Sequence, residues 1–347
     1  MSENRNNILL SPLDWGLGHA ARCIPLIERF LGEGSKVTVF ASLGICAFLM
    51  ERFPELQYIE DKTKPVSYGL NGTGVFKLAA VAMRIKKQSR VDNNKCKDLC
   101  ETGHYNLVVS DNRYGFRGEG VKSVLITHQL MPITPVWLRI GMPVLRRFLK
   151  KAYASFSEVW IPDFPEFPGL AGLLSHPSIK VPNAKFIGPL SRFESDRTDT
   201  VERNKKSVLI ITSGPEEHRR QMAFELSGMF ADLSLQIFIA GASLDNCPEN
   251  VKCILSPSDE LMKKLILESG FIITHSGYST LMDLYACGRS AVIVPTRGQT
   301  EQKYLAQIHH DSFLVLHEFA DLKKYQIDFS QLSEVLSKKE KNTSVSF

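Results

Sequence analysis

The stretch NILLSPLDWGLGHAARCIPLIERFL, Asn7 to Leu31, decides how the fold is read. Its opening, NILLS, is a short apolar run, and from Gly18 onward apolar side chains recur at helical spacing. Between the two lie Gly16, Gly18 and His19, the marks of a turn from strand into helix. A helix N-terminus presents backbone N–H groups without partners, so such a turn is a place to receive an anion or to stage a reaction.

The same alternation runs along the chain. Apolar runs follow at Lys36 (KVTVFA), Leu56 (LQYIE), Asn106 (NLVVSD), Ser123 (SVLITH) and Glu158 (EVWIPD), with helical patterns between them. The stretch Lys185 to Lys206 then abandons the apolar pattern and reads as a linker. Beyond it the alternation resumes at Ser207 (SVLIITSG), Leu235 (LQIFIAG), Val251 (VKCIL), Phe271 (FIITHSG) and Ser290 (SAVIVP). Fully apolar strands alternating with helices imply parallel sheets covered on both faces. At 347 residues the chain exceeds what one core usually supports. The expectation is two doubly wound, Rossmann-like α/β domains, residues 1–190 and 191–347, facing a cleft.

Composition narrows the function classes. Apolar residues at 44% and charged residues at 23% exclude a disordered chain. No apolar run is long enough to span a bilayer, and the polar start MSENRNN lacks the layout of a signal peptide, so a cytoplasmic protein is expected. Seven cysteines, an odd number scattered along the chain, read as reduced thiols. Cys96 and Cys100 lack a second pair or a flanking histidine, so no metal site is expected. Residues 1–190 carry 24 Lys and Arg against 16 Asp and Glu, while the remainder carries 18 against 21. The basic first half either faces something anionic or presents a solvated basic surface; no nucleic-acid partner is expected.

Gly16, Gly18 and Ala21 also satisfy the G-x-G-x-x-A spacing of a dinucleotide site. That site needs an acidic residue near the end of the second strand, and none occurs between Glu33 and Glu51. His19 then matters more than the glycines. In a first helical turn the helix dipole favours neutral imidazole, which can take a proton or can bond a neighbouring backbone group.

The block THSGYSTLMDLYACGRSAVIVPTRGQTEQKYLAQ, Thr274 to Gln307, resembles the carboxyl-terminal signature of nucleotide-sugar-dependent glycosyltransferases. A strand ends in a small-residue turn, the next helix carries an acid, an apolar strand ends in Pro, and an acid–Gln pair opens another helix. The resemblance is to family 28, which includes the N-acetylglucosaminyltransferase of peptidoglycan synthesis. The loop WGLGH is similar to that family's amino-terminal glycine loop, so both domains share in the resemblance, which implies the two-lobed GT-B fold.

That resemblance implies roles residue by residue. His275, Ser276 and Gly277, with Ser279 and Thr280 on the following helix, would receive a diphosphate. Asp283 stands where the family has a Glu on the ribose hydroxyls, and the shorter side chain must sit closer to do the same. Glu301 and Gln302 would face the donor sugar, and Ser213 and Gly214, with Arg219 nearby, would form a second phosphate-side loop. Gly16 and Gly18 would line the cleft beside His19. The implied reaction is inverting transfer from a nucleotide-diphosphate sugar, UDP favoured, to an acceptor hydroxyl without an obligatory metal. His19 would be the base, and Asp111 would orient or replace it, ahead of Asp14.

The sequence GLGHAARCIPL is also similar to the loop of the UDP-sugar hydrolase of pseudaminic acid synthesis, a pattern that Arg22 fits. The length of the chain, and the segment Phe116 to Lys151 as acceptor platform, favour transfer; an epimerase of related fold is the third reading, and a non-catalytic nucleotide-sugar-binding subunit is the non-enzymatic one. Leu130 to Phe156 interleaves Trp137, Leu138, Ile140, Val144 and Phe148 with Arg139, Arg146, Arg147, Lys150 and Lys151. It reads either as a core helix with a solvated basic face or as an interfacial segment on an anionic membrane, there to meet a lipid-linked acceptor.

Overall fold

The computed structural model describes residues 6–63, 75–134, 141–193, 201–231, 233–325 and 329–343. The chain divides into two compact units, Met1–Leu190 and Ser191–Phe347.

The first unit runs β1 (Asn7–Pro12), α1 (Leu17–Gly32), β2 (Lys36–Ala41), α2 (Leu43–Met50), β3 (Gln57–Glu60), α3 (Val75–Gly103), β4 (Leu107–Asp111), β5 (Lys122–Ile126), α4 (Met142–Ala154), β6 (Glu158–Ile161) and β7 (Ala184–Phe186). The strands form one parallel sheet in the order β3-β2-β1-β4-β5-β6-β7. β1 shows why both faces are covered. Ile8 and Leu10 pack with α1 and α2, while Leu9 points to the other face, against Phe40, Cys96, Val108 and Phe116. Phe116 is fully buried there, so any acceptor platform begins beyond it.

The second unit runs β8 (Asn204–Ile211), α5 (Glu216–Phe230), β9 (Gln236–Ala240), β10 (Val251–Ile254), α6 (Asp259–Glu268), β11 (Ser269–Thr274), α7 (Tyr278–Ala286), β12 (Val292–Ile293), α8 (Thr300–Ile308), β13 (Leu314–Val315) and α9 (Phe329–Glu340). Its parallel sheet has the order β10-β9-β8-β11-β12-β13. One core cluster joins Val208 and Ile210 of β8 to Met222, Leu226 and Phe230 of α5 and to Leu332 and Leu336 of α9.

Two short strands depart from the sequence reading. The expected linker begins inside β7, because Phe186 packs against the core around Leu125 and Val159. β13, two residues long, is too short to show a periodicity at all.

Register sets the site. Pro12 lies beside Asp111 and Asp111 beside Ile126, so β1, β4 and β5 end level with one another. A buried arginine braces that edge. Just beyond β4, Arg113 donates to Ser11 Oγ at 2.9 Å, Asp61 Oδ2 at 2.9 Å and Asp92 Oδ1 at 2.5 Å. Its guanidinium also lies 5.0 Å from the Phe116 ring centroid and 5.5 Å from that of Phe40. Removing one partner of a buried pair leaves uncompensated charge. Arg113→Ala is expected to destabilise the first unit by about 3–5 kcal/mol, measured as the loss of midpoint in its urea transition. An unchanged midpoint would contradict the bracing role.

Candidate active site

At the carboxyl edge of the first sheet the chain leaves β1, turns, and enters α1. Gly16 is the N-cap, with φ of +103°, a conformation that penalises any side chain. Gly18 lies exposed in the first turn, and His19 follows it. His19 Nδ1 sits 2.8 Å from Asp111 Oδ2, at the end of β4. Arg22, one turn further along α1, donates from Nη2 to Asp111 Oδ1. The same Nη2 is 2.9 Å from His19 Nδ1, and Nη1 is 3.2 Å from Nδ1 of His128, just past β5. Three neighbouring strand ends therefore meet at one cluster.

Burial sorts the four side chains. Asp111 has no exposed surface, Arg22 is 2% exposed and His128 is buried, whereas the His19 side chain keeps 17%. His19 is the member that reaches solvent. Burial would raise the Asp111 carboxyl, but the charge of Arg22 and the contact with His19 outweigh it and hold the group below its ordinary range. Burial first, then Arg22, holds the His19 ring below the ordinary histidine value, against the opposing pull of Asp111. The result is an ionised carboxylate beside a neutral imidazole.

In the second unit the level strand ends are Ile211, Thr274 and Ile293. Gly277 caps α7, and Ser279 and Thr280 lie half-buried in its first turn. A Cβ added at Gly277 would meet nothing within 4 Å, so the bare helix end stays open to an approaching group. His275 and Ser276 turn inward. His275 Nδ1 donates to Val294 O at 2.6 Å, its ring held below the ordinary value by burial, and Ser276 Oγ donates to Gln302 O at 2.8 Å. Gln302 Oε1 accepts from Thr296 N at 2.8 Å, which ties the loop after β12 to α8, while Glu301 is half-buried in the first turn of that helix. Ser213 and Gly214 make the turn between β8 and α5, with Gly214 at φ +89°. Arg219 donates to Gly241 O at 2.7 Å and borders a surface pocket with Arg220 and Ser243.

Asp283 has partners that the sequence reading missed. Its Oδ1 accepts from Ser191 Oγ at 2.8 Å, and its Oδ2 lies 3.4 Å from Arg192 Nε. Arg192 also donates to Asp259 at 2.9 Å. Burial pushes the Asp283 carboxyl up, and Arg192 and Ser191 oppose that shift. His128 was missed as well; its signal was a histidine just past an apolar strand, where ligands of such sheets gather. Among the described residues no three metal-ligating side chains converge.

Residues 238–346 match the glycosyltransferase family 28 C-terminal domain. A Methanosarcina acetivorans protein named an uncharacterized glycosyltransferase is 25% identical over 325 residues, covering 88% of this chain and 81% of its own. This chain is a glycosyltransferase, and its carboxyl-terminal part is similar to family 28. The crystal structure of the glycotransferase of kitacinnamycin matches 98% of the glycosyltransferase and 94% of its own chain, with a TM-score of 0.64 at 13% identity. A Streptomyces sp. SF2575 glycosyltransferase complexed with thymidine diphosphate matches 97% and 96%, with a TM-score of 0.59 at 14% identity. The two Rossmann-like units of this glycosyltransferase thus make a GT-B fold.

Proposed function

We propose that this glycosyltransferase transfers a sugar with inversion from a nucleotide-diphosphate sugar to an acceptor hydroxyl, with His19 as general base. The observation that carries the reading is the 2.8 Å contact of His19 Nδ1 with a fully buried carboxylate, Asp111. An imidazole whose Nδ1 proton is held by a carboxylate keeps its Nε2 lone pair for the proton of an attacking hydroxyl. The acceptor oxygen bonds to the anomeric carbon as the bond from that carbon to the diphosphate oxygen breaks, the proton passes to Nε2, and Asp111 stabilises the imidazolium.

The second unit holds the donor in this reading. Backbone N–H groups at Gly277 to Thr280, the hydroxyls of Ser279 and Thr280, and the Ser213–Gly214 turn receive the diphosphate. The positive ends of α7 and α5 offset the charge that grows on the leaving group, a role that asks for no metal. His275 and Ser276 shape that turn through Val294 and Gln302. Glu301 accepts from sugar hydroxyls; Gln302, its oxygen already engaged by Thr296, contributes its amide nitrogen. Asp283 shares its carboxylate among Ser191, Arg192 and the donor ribose. The resemblance to family 28 favours a UDP-sugar. The thymidine diphosphate in the Streptomyces neighbour keeps a dTDP-sugar beside it as the second choice.

For the acceptor we propose a lipid-linked or cell-surface glycan met at an anionic membrane through α4. That helix buries Leu149 and Tyr153 in the core and turns Arg146, Arg147, Lys150 and Lys151 outward. Val144, 75% exposed, and Phe148, 37% exposed, stand among those cations, as on an interfacial helix. Trp137, Leu138, Arg139 and Ile140 lie outside the described residues. Among the described residues no helix is long and apolar enough to cross a membrane.

Incubation with UDP-, dTDP- and GDP-sugars is expected to give turnover that requires an acceptor alcohol. Release of free sugar without one would instead indicate a hydrolase, and binding without turnover a partner subunit. His19→Ala is expected to lower turnover by about 10²-fold or more. Because the base must be neutral and its pKa is depressed, the acid limb of the wild-type rate profile is expected below pH 6.5. Normal turnover in a folded His19→Ala variant would remove the residue from the mechanism.

The membrane reading predicts co-sedimentation with phosphatidylglycerol vesicles that weakens as salt screens the attraction. Replacing Arg146, Arg147, Lys150 and Lys151 together with Gln is expected to abolish it. A wild-type protein that stays in the supernatant at low salt would overturn this reading.

A further inference from the structure

The His19 ring is claimed at one nitrogen by two buried groups that cannot both be satisfied there. Nδ1 lies 2.8 Å from Asp111 Oδ2 and 2.9 Å from Arg22 Nη2. An ionised carboxylate only accepts a hydrogen bond and a guanidinium only donates one. A proton on Nδ1 therefore serves Asp111 and leaves the lone pair on Nε2. A lone pair on Nδ1 serves Arg22 and puts the proton on Nε2. The first ring is a base toward solvent, and the second is a donor.

The remaining partners decide between the two. Arg22 has Asp111 Oδ1 and His128 Nδ1 as further acceptors, so it loses little by yielding His19. Asp111 Oδ2 has no second donor among the described residues, and an unmet lone pair on a buried charge is costly. The proton therefore belongs on Nδ1. Net charge is the other half of the balance. A carboxylate alone beside the ring would stabilise the imidazolium, which cannot accept a proton, whereas the guanidinium in contact with both groups cancels that pull. Among the described residues, the charged and titratable groups acting on the ring are Arg22 from α1, Asp111 from β4 and His128 from beyond β5.

We propose that Arg22 is a positioning residue for His19: with Asp111 it fixes the ring proton on Nδ1 and keeps the ring from becoming an imidazolium, while His128 holds the guanidinium from the far side. His128 Nδ1 must be the acceptor in that contact, so its own proton sits on Nε2. The catalytic consequence rests on His19 being the base. The proton's location does not, because it can be read without any substrate.

The test is long-range ¹⁵N–¹H correlation on the ¹⁵N-histidine-labelled full chain, from about pH 5 to about pH 8.5, with the His19 signals assigned by their loss in His19→Gln. The wild type is expected to show neutral His19 with its proton on Nδ1. In Arg22→Gln the titration midpoint is expected to rise by about one pH unit or more, and the acid limb of turnover to rise with it. Arg22→Lys, which keeps the charge, is expected to restore both. In Asp111→Asn the proton is expected to move to Nε2, as Arg22 takes over Nδ1. A wild-type proton on Nε2 would overturn the proposal, as would a midpoint unmoved in folded Arg22→Gln. Should that variant not fold, the wild-type and Asp111→Asn spectra decide. Unchanged turnover in His19→Ala would sink the base assignment while leaving the proton location standing, so the two readings fail separately.

Discussion

Asp111 keeps a negative charge at a position with no exposed surface, and the carboxyl edge of the first sheet is built around that constraint. A buried carboxylate is tolerated only when its oxygens are met by charge and by hydrogen bonds. Arg22 meets one oxygen and His19 the other, and both come from one helix, three residues apart. The glycine turn at Gly16 starts that helix beside β4, and the level ends of β1, β4 and β5 bring Arg22 within reach of His128. Further along the same edge Arg113 braces Asp61 and Asp92 in the same manner, with two aromatic rings against its guanidinium.

The second unit solves a different problem with different means. Its strand ends carry few charges. Instead, hydroxyl and amide groups are spent on holding loops: Thr212 on Ala240, Thr274 on Ile211, Ser276 on Gln302, and Gln302 on Thr296. Gly241, with φ of +93°, fits only as glycine, since a Cβ there would lie 2.8 Å from Thr212 Oγ1. These bonds hold the start of α7 and the turn before α5 in fixed geometry. The proposed donor binding through backbone N–H groups needs that rigidity, because backbone donors cannot reorient as side chains can.

Much of this was legible in the sequence, for identifiable reasons. Long β-branched runs such as KVTVFA and SVLIIT announce buried strands, and alternation with helices announces parallel sheets. Ala184–Phe186 and Leu314–Val315 were not legible, because the first is interrupted by a lysine and the second is too short for a pattern. His19 stood out in a first helical turn and Asp111 at a strand end, but their contact spans 92 residues and depends on register. Arg22 showed only as part of a loop pattern. His128 carried only its place just past an apolar strand, and Ser191 and Arg192 lie within the stretch read as linker, where polar residues ordinarily signal solvent. What local pattern cannot show is which buried charge answers which.

The central claim is a single displacement at the anomeric carbon, with His19 as the base that activates the acceptor. Its most direct test is the anomeric configuration of the product, read from the ¹H NMR coupling of the transferred sugar, for whichever nucleotide sugar supports turnover. The account predicts the configuration opposite to that of the donor from the first turnover onward. A product that keeps the donor's configuration would contradict it, because retention requires a second displacement or a different face of attack, and a lone His19–Asp111 base provides for neither.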